Sequence, residues 1–253
     1  MVSIAILFGL VGLALGGFNG LLIGLAAGYA IGAALPRLVL KSLDVVQSEL
    51  LDATFAAMGA MCKADSRVTR DEIEAAEALF DRMRLNLTQR EAAKAAFNRG
   101  KSPGFDLDAE MARLARICRG RSPLLAMFLQ VQLMAVAADG AVHPAEHEML
   151  VGMARRLGIA PTEVARLEAL LRAAAAGTPA TPSKLEDAYQ ALGVKPSATD
   201  AEIKRAYRKL MSENHPDKLA GRGLPESMRE IAEERTREIT AAYGLITEAR
   251  EQT

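Results

Sequence analysis

Tryptophan is missing from all 253 residues, and aromatic side chains supply only 4% of them. Runs of β-branched residues are scarce as well. A sheet core has little to be built from, and a composition dominated by Ala, Leu, Arg and Glu favours helix throughout. Cysteine occurs only at Cys62 and Cys118, far apart in helical sequence. That excludes a disulfide framework and a zinc site, and leaves two buried thiols in a reducing compartment as the expectation. Charge of either sign is not in excess, since Lys plus Arg and Asp plus Glu each number 31. No overall field draws the chain to nucleic acid, so any argument from charge must be local.

Charge is absent altogether from Ile4 to Leu35. A membrane span needs only about 20 apolar residues, so this stretch is long enough to cross a bilayer with tilt or overhang. The start, Met1-Val2-Ser3, has no basic side chain, which favours a retained anchor over a cleaved signal peptide. Arg37 and Lys41 follow the stretch, and no Lys or Arg precedes it. The positive-inside rule then places the N-terminus outside, in the periplasm, and everything after Leu40 in the cytoplasm. Within the stretch Gly12, Gly16, Gly20, Gly24, Gly28 and Gly32 recur every four residues. On one helix these would form a nearly continuous groove without side chains, the kind of face that drives helix association in lipid. A homodimer through this face is expected, with Asn19 the only strongly polar side chain mid-span. The same glycines precede no Gly-Lys-Ser/Thr, so they do not form a phosphate loop.

Beyond a short juxtamembrane stretch the sequence loosely repeats. "ADSRVTRDE" at Ala64–Glu72 matches "ADGAVHPAE" at Ala138–Glu146. Each copy follows an apolar helical pattern, Leu50–Lys63 or Pro123–Ala137, and precedes an amphipathic one. Thr69 and His143 stand at helix caps, with Pro144 suited to a first turn. Two more helical patterns, Thr88–Asn98 and Asp108–Cys118, lie between the copies, and one from Pro161 to about Ala176 closes the region. Asp65 with Glu72, and Asp139 with Glu146, suggest an EF-hand. The loop fails in both copies, because Arg67 and Ala141 stand where oxygen ligands are needed. The duplicated acidic turns, over roughly Leu43–Ala175, resemble tellurite-resistance TerB-like domains. That resemblance implies an interaction or metal-associated module. Capping accounts for Asp65, Glu72, Asp139 and Glu146 more readily than metal ligation, for which they are weak candidates; no cofactor is expected.

Gly177, Pro179 and Pro182 interrupt the alanine run and mark a semi-stiff linker. The boundaries are then residues 1–41 for the anchor and flank, 42–176 for the helical middle, 177–184 for the linker and 185–253 for a C-terminal domain. In the last, Leu185, Ala188, Tyr189 and Leu192 share a helical face ended by Gly193. Asp200 reads as an N-cap before a core stripe of Ile203, Ala206, Tyr207 and Leu210. A long helix after Pro225 carries Met228, Ile231, Ile239, Ala242, Tyr243 and Ile246. The two longer stripes would pack antiparallel, with His215-Pro216-Asp217 in the loop between. Lys204, Arg205, Arg208 and Lys209 fall on the solvent side. Lys204–Arg208 and Arg205–Lys209 are like-charge pairs four apart; a solvated surface accounts for them by itself, and an acidic partner would explain them equally.

"AEIKRAYRKL", "HPD" and "EITAAYGLI", in that order, resemble the DnaJ J domain over almost the whole C-terminal segment. The full order of anchor, TerB-like bundle and J domain resembles the membrane-anchored DnaJ-like co-chaperones of bacteria. The resemblance implies an all-α inner-membrane protein, not itself an enzyme, that stimulates ATP hydrolysis by a DnaK-type chaperone. His215, Pro216 and Asp217 would be the trigger. Lys204, Arg205, Arg208, Lys209 and Lys218 would steer the encounter, and Tyr207 would serve both core and contact. Three features depart from the common J-domain pattern: Glu213 stands where a basic residue is frequent, Thr236 where a core Phe is common, and the loop "KLAGRGLPESM" is extended. Neither a Gly/Phe-rich segment nor CxxC repeats occur. The second reading is a membrane-tethered, ion-responsive scaffold acting through the bundle. A nucleic-acid role ranks last, because the basic helix interleaves no aromatic beyond Tyr207.

Overall fold

The computed structural model describes residues 2–64, 77–137, 142–174 and 182–251, and every regular element among them is helical. In chain order the helices are α1 (Val2–Ala64), a segment at 77–82, α2 (Leu87–Lys101), α3 (Leu107–Ile117), α4 (Ser122–Val136), α5 (Pro144–Arg156), α6 (Pro161–Ala174), α7 (Pro182–Leu192), α8 (Asp200–Asn214), α9 (Pro216–Ala220) and α10 (Arg229–Glu251), with a 3₁₀ turn at Glu226–Met228. The chain forms two compact units, Met1–Val46 and Gln47–Thr253.

The first unit contains one stretch long and apolar enough to cross a membrane, Leu10–Ile31. Its large side chains face outward: Leu15 is 85% exposed and Phe18 and Ile23 are each 70% exposed, as lipid-facing groups would be. The helix breaks inside this stretch. Gly16 (φ −140°) and Gly17 (φ 59°, ψ −146°) leave helical geometry, and Gly17 occupies a region that a side chain would resist. The break brings Gly12 against Gly20 within the chain, so closely that a Cβ on either would lie 2.0 Å from the other's carbonyl oxygen. Gly24 joins this contact beside Gly12, Gly28 is buried, and Asn19 is exposed. The glycine ladder is therefore interrupted at Gly16 rather than running along one straight face. The surroundings of Gly32 lie outside the described residues.

The second unit begins with the last turns of α1, which bury Leu50, Phe55 and Met58 completely or nearly so. Gly100 lets α2 lie directly on α1, since a Cβ there would sit 1.9 Å from the Ala56 carbonyl oxygen. Charged side chains pin this contact from the rim: Arg99 forks onto Asp52 (3.1 and 2.6 Å), and Arg113 of α3 reaches Asp52 (3.0 Å) and Glu110 (2.6 Å). Helix α4 is apolar nearly all round and is accordingly central, with Leu124, Met127, Phe128, Val131 and Leu133 at most 1% exposed. Nε2 of its buried Gln132 donates to the Thr54 carbonyl at 3.0 Å, while Oε1 has no partner among the described residues.

The C-terminal helices close a second core around Ala188, Tyr189, Leu192, Ile203, Leu210, Ile239, Ala242 and Ile246. Ala169, Leu170 and Ala173 of α6 belong to that same core. The last helix of the middle bundle and the first helix of the C-terminal region thus bury their apolar faces together. Thr236, where a core Phe is common, is half-buried and turns its hydroxyl to the Glu233 carbonyl at 2.7 Å.

Candidate functional site

Helix α8 starts at a capping box. The Thr199 hydroxyl accepts from the Glu202 N–H, and the Glu202 carboxylate accepts from the Thr199 N–H at 2.8 Å and its hydroxyl at 2.9 Å. The cap is Thr199 rather than Asp200, which lies in the first turn. There its charge favours the positive helix end, and Oδ1 accepts from Arg250 at 2.6 Å. Arg250 also donates to the Tyr189 hydroxyl and to the carbonyls of Pro196 and Ala198, so the end of α10 clamps the α7–α8 loop.

Burial of Ile203 and Leu210 fixes the roll of α8. Tyr207 is half-buried and stacks on Tyr243, with ring centroids 4.3 Å apart and planes 16° from parallel. Lys204, Arg205, Arg208 and Lys209 are left exposed, forming one cationic face.

The helix ends at His215, whose extended backbone (φ −61°, ψ 128°) suits a residue preceding proline. The His-Pro-Asp sequence does not lie in a plain loop, because Pro216 is buried at the first position of α9 and His215 caps it. Nδ1 of His215 accepts from the Asp217 N–H at 3.2 Å. The neutral ring must then carry its proton on Nε2, which leaves that N–H available to a partner. His215 and Asp217 side chains are 52% and 69% exposed. Lys218, also exposed, folds back to the Ser212 hydroxyl at 2.5 Å. The structure therefore places the residues that the sequence analysis expects to meet a partner on α8 and its exit, with Pro216 buried and Tyr207 half-buried among them.

Two groups were not apparent from the sequence pattern. Asp217 Oδ1 accepts from Arg229 Nη2 at 3.0 Å, and Arg229 Nε donates to Glu233 at 3.2 Å. The face of α10 turned away from α8 docks on the middle bundle. Arg235, 1% exposed, bonds Glu163 of α6 at 3.3 Å. Glu238 accepts from Gln130 of α4 at 3.4 Å, while Arg82 and Arg84 pair with Glu234 and Glu230. "EERTRE" reads as a solvated run, but Arg235 and Glu238 stand in phase with Ile231 and Ala242. Two charges on a core stripe were the available signal.

Burial dominates the titration of this contact. It lowers the Arg235 guanidinium to about 10, against the opposing pull of Glu163, and raises the Glu238 carboxyl to about 7, against Arg235, Arg82 and Arg237. Because the folded value of Glu238 lies above its ordinary 4.5, the stability it contributes is complete below pH 4.5 and is lost as pH rises towards 7. The full chain should unfold at lower urea concentration at pH 7 than at pH 5, by a difference on the order of 2–3 kcal/mol from this group. Glu238→Gln should flatten that slope in a pH series of urea titrations.

Of the acidic-turn candidates, Glu146 accepts from the His143 N–H at 2.8 Å and completes a capping box at α5. Asp65, Glu72 and Asp139 lie outside the described residues. A cavity of about 830 Å³ opens on α4, α5 and α6, where His147 Nδ1 and Glu168 are 2.6 Å apart. Neither cysteine forms a disulfide, and burial raises the Cys118 thiol to about 11, which makes it inert.

This arrangement corresponds to two known families. The DnaJ domain matches residues 187–252, and the tellurite resistance protein TerB matches residues 51–169. A J domain seated on a TerB bundle behind an apolar anchor defines the class of membrane-anchored, DnaJ-like co-chaperones. Co-chaperone protein DjlA of Escherichia coli (strain K12) is 38% identical over 97% of this chain and 94% of its own length. The proteins of that name from Photobacterium profundum and Vibrio cholerae serotype O1 are 42% and 40% identical, each over 79% of this chain and over 77% and 78% of their own lengths. The chain belongs to the DjlA family of co-chaperone proteins. No solved structure matches it.

Proposed function

We propose that the chain is an inner-membrane co-chaperone whose cytoplasmic J domain docks on a DnaK-type chaperone and stimulates its ATP hydrolysis. The observation that carries this reading is the division of α10 and α8 between two tasks. The charged face of α10 is buried on the bundle, whereas the cations of α8 and the side chains of His215 and Asp217, on either side of the buried Pro216, stand exposed at the J domain's other side. Lys204, Arg205, Arg208, Lys209 and Lys218 steer the approach of an acidic surface, His215 offers it an N–H, and Asp217 offers a carboxylate to a cation on the same partner. The groups that hydrolyse ATP belong to the partner, so this chain is a regulator and not itself an enzyme. A second reading, an ion-responsive scaffold, draws on the His147–Glu168 pair at the bundle cavity. ATP turnover by a DnaK-type chaperone, measured with the full chain in detergent and without added transition metal or calcium, separates the two. Stimulation without the ion supports the co-chaperone, and none supports the scaffold.

Opened out, Leu10–Ile31 would be about 33 Å long, enough for the hydrocarbon core, while the arm before Gly16 would reach only about 21 Å. A straight span with a periplasmic N-terminus therefore suits a bilayer better than a folded-back one. Its glycines, already able to take a backbone at contact distance, would then receive a second copy. Gly20→Leu should lower a transmembrane association signal severalfold, whereas Ala14→Leu and Ala26→Leu, at exposed positions, should leave it near wild type. Equal loss from all three would show that added bulk, and not the glycine face, matters.

A further inference from the structure

We infer that Arg229 is a positioning residue for the trigger, holding the Asp217 carboxylate in the orientation that a partner's cation meets. The inference rests on the co-chaperone reading and adds to it a residue outside the His-Pro-Asp motif and outside the basic helix. Asp217 is 69% exposed, and nothing in its own short helix restrains its side chain. An exposed aspartate exchanges rotamers freely, and a partner that captures it must immobilise it first. Arg229 removes that freedom beforehand. It stands twelve residues on, at the first position of α10, beyond the extended loop. Its own fork is steadied from behind by Glu233, one turn along the same helix, at 3.2 Å. Nη2 can therefore approach Asp217 from a fixed base.

The contact is one-sided. Arg229 takes Oδ1 at 3.0 Å, while Oδ2 lies 4.0 Å from His215 Nδ1. A carboxylate accepts about four hydrogen bonds, so Oδ2 and the spare lone pair of Oδ1 remain open to a guanidinium on the partner. The arrangement presents Asp217 without blocking it. Arg229 also ties the far end of the loop to the turn.

The test measures ATP turnover by a DnaK-type chaperone at increasing concentrations of the full chain in detergent. Arg229→Ala should raise the half-maximal concentration about threefold to tenfold, the range set by immobilising one side chain, and leave the maximal rate unchanged. Arg229→Lys, which restores a cation but not the fork, should recover part of the loss. In an Asp217→Asn background, Arg229→Ala should have no further effect on residual binding to the immobilised chaperone. An Arg229→Ala curve superimposable on wild type, or one shifted to lower concentration, overturns the inference while leaving the co-chaperone reading intact. A wild-type chain that stimulates nothing overturns that reading instead. Unequal helicity of the two chains by circular dichroism would assign the shift to folding and also overturn the inference.

Discussion

His215→Gln should abolish stimulation of a DnaK-type ATPase, reducing it at least tenfold, while the chain stays folded. The His215 side chain is half exposed and contributes one cap hydrogen bond to a helix of five residues. Loss of such a cap costs on the order of 1 kcal/mol, which moves the unfolding midpoint by a few degrees at most. What disappears is the Nε2–H that the ring directs outward while Nδ1 is held by the Asp217 N–H. Gln can supply either function but not both in the same geometry. Steady-state ATP turnover and far-ultraviolet circular dichroism on the same preparation check both halves of the prediction. Full stimulation by the variant would exclude the turn as trigger. Loss of stimulation together with loss of helix would make the residue merely structural.

Glu163→Gln is expected to have the largest effect on stability, about 3–5 kcal/mol. Glu163 is the carboxylate nearest to a guanidinium that has no access to water, and Nε and Nη1 of Arg235 already lack partners among the described residues. Neutralising Glu163 leaves Arg235 with a buried charge and only a weak acceptor. Arg235→Leu should cost much less than Glu163→Gln, because it removes the charge and retains an apolar side chain at a buried position. The double variant should resemble Arg235→Leu alone. Urea titrations of the four chains would show this order, and additive losses in the double variant would mean that the two residues act independently.

The helices and their inward stripes were legible because period and caps act locally. Ile203 and Leu210 are buried as their spacing requires, and Gly193, at φ 70°, ends α7 where the sequence places the stop. The cationic face followed from the same spacing. Asp200, the cap expected from the sequence, lies one residue past the actual cap, because Thr199 and Asp200 both carry capping oxygens and only the reciprocal bond to Glu202 decides between them. The break at Gly16–Gly17 also escaped notice. A four-residue glycine period looks the same whether the helix runs straight or bends at its least constrained pair. Arg229 and Arg235 were hidden for a different reason. Each depends on a partner twelve or seventy-two positions away, and no local pattern reports which side of a charged helix will meet another surface.

The shared burial of Ala169, Leu170 and Ala173 with the J-domain helices has a mechanical consequence. A J domain on a free tether would sweep a volume set by the tether's reach and could meet its chaperone from any angle. With α6 and α7 in one core, the length of chain joining them sets no reach at all. The trigger then has a fixed bearing relative to the bundle. A chaperone docking on it would meet the bundle in one orientation.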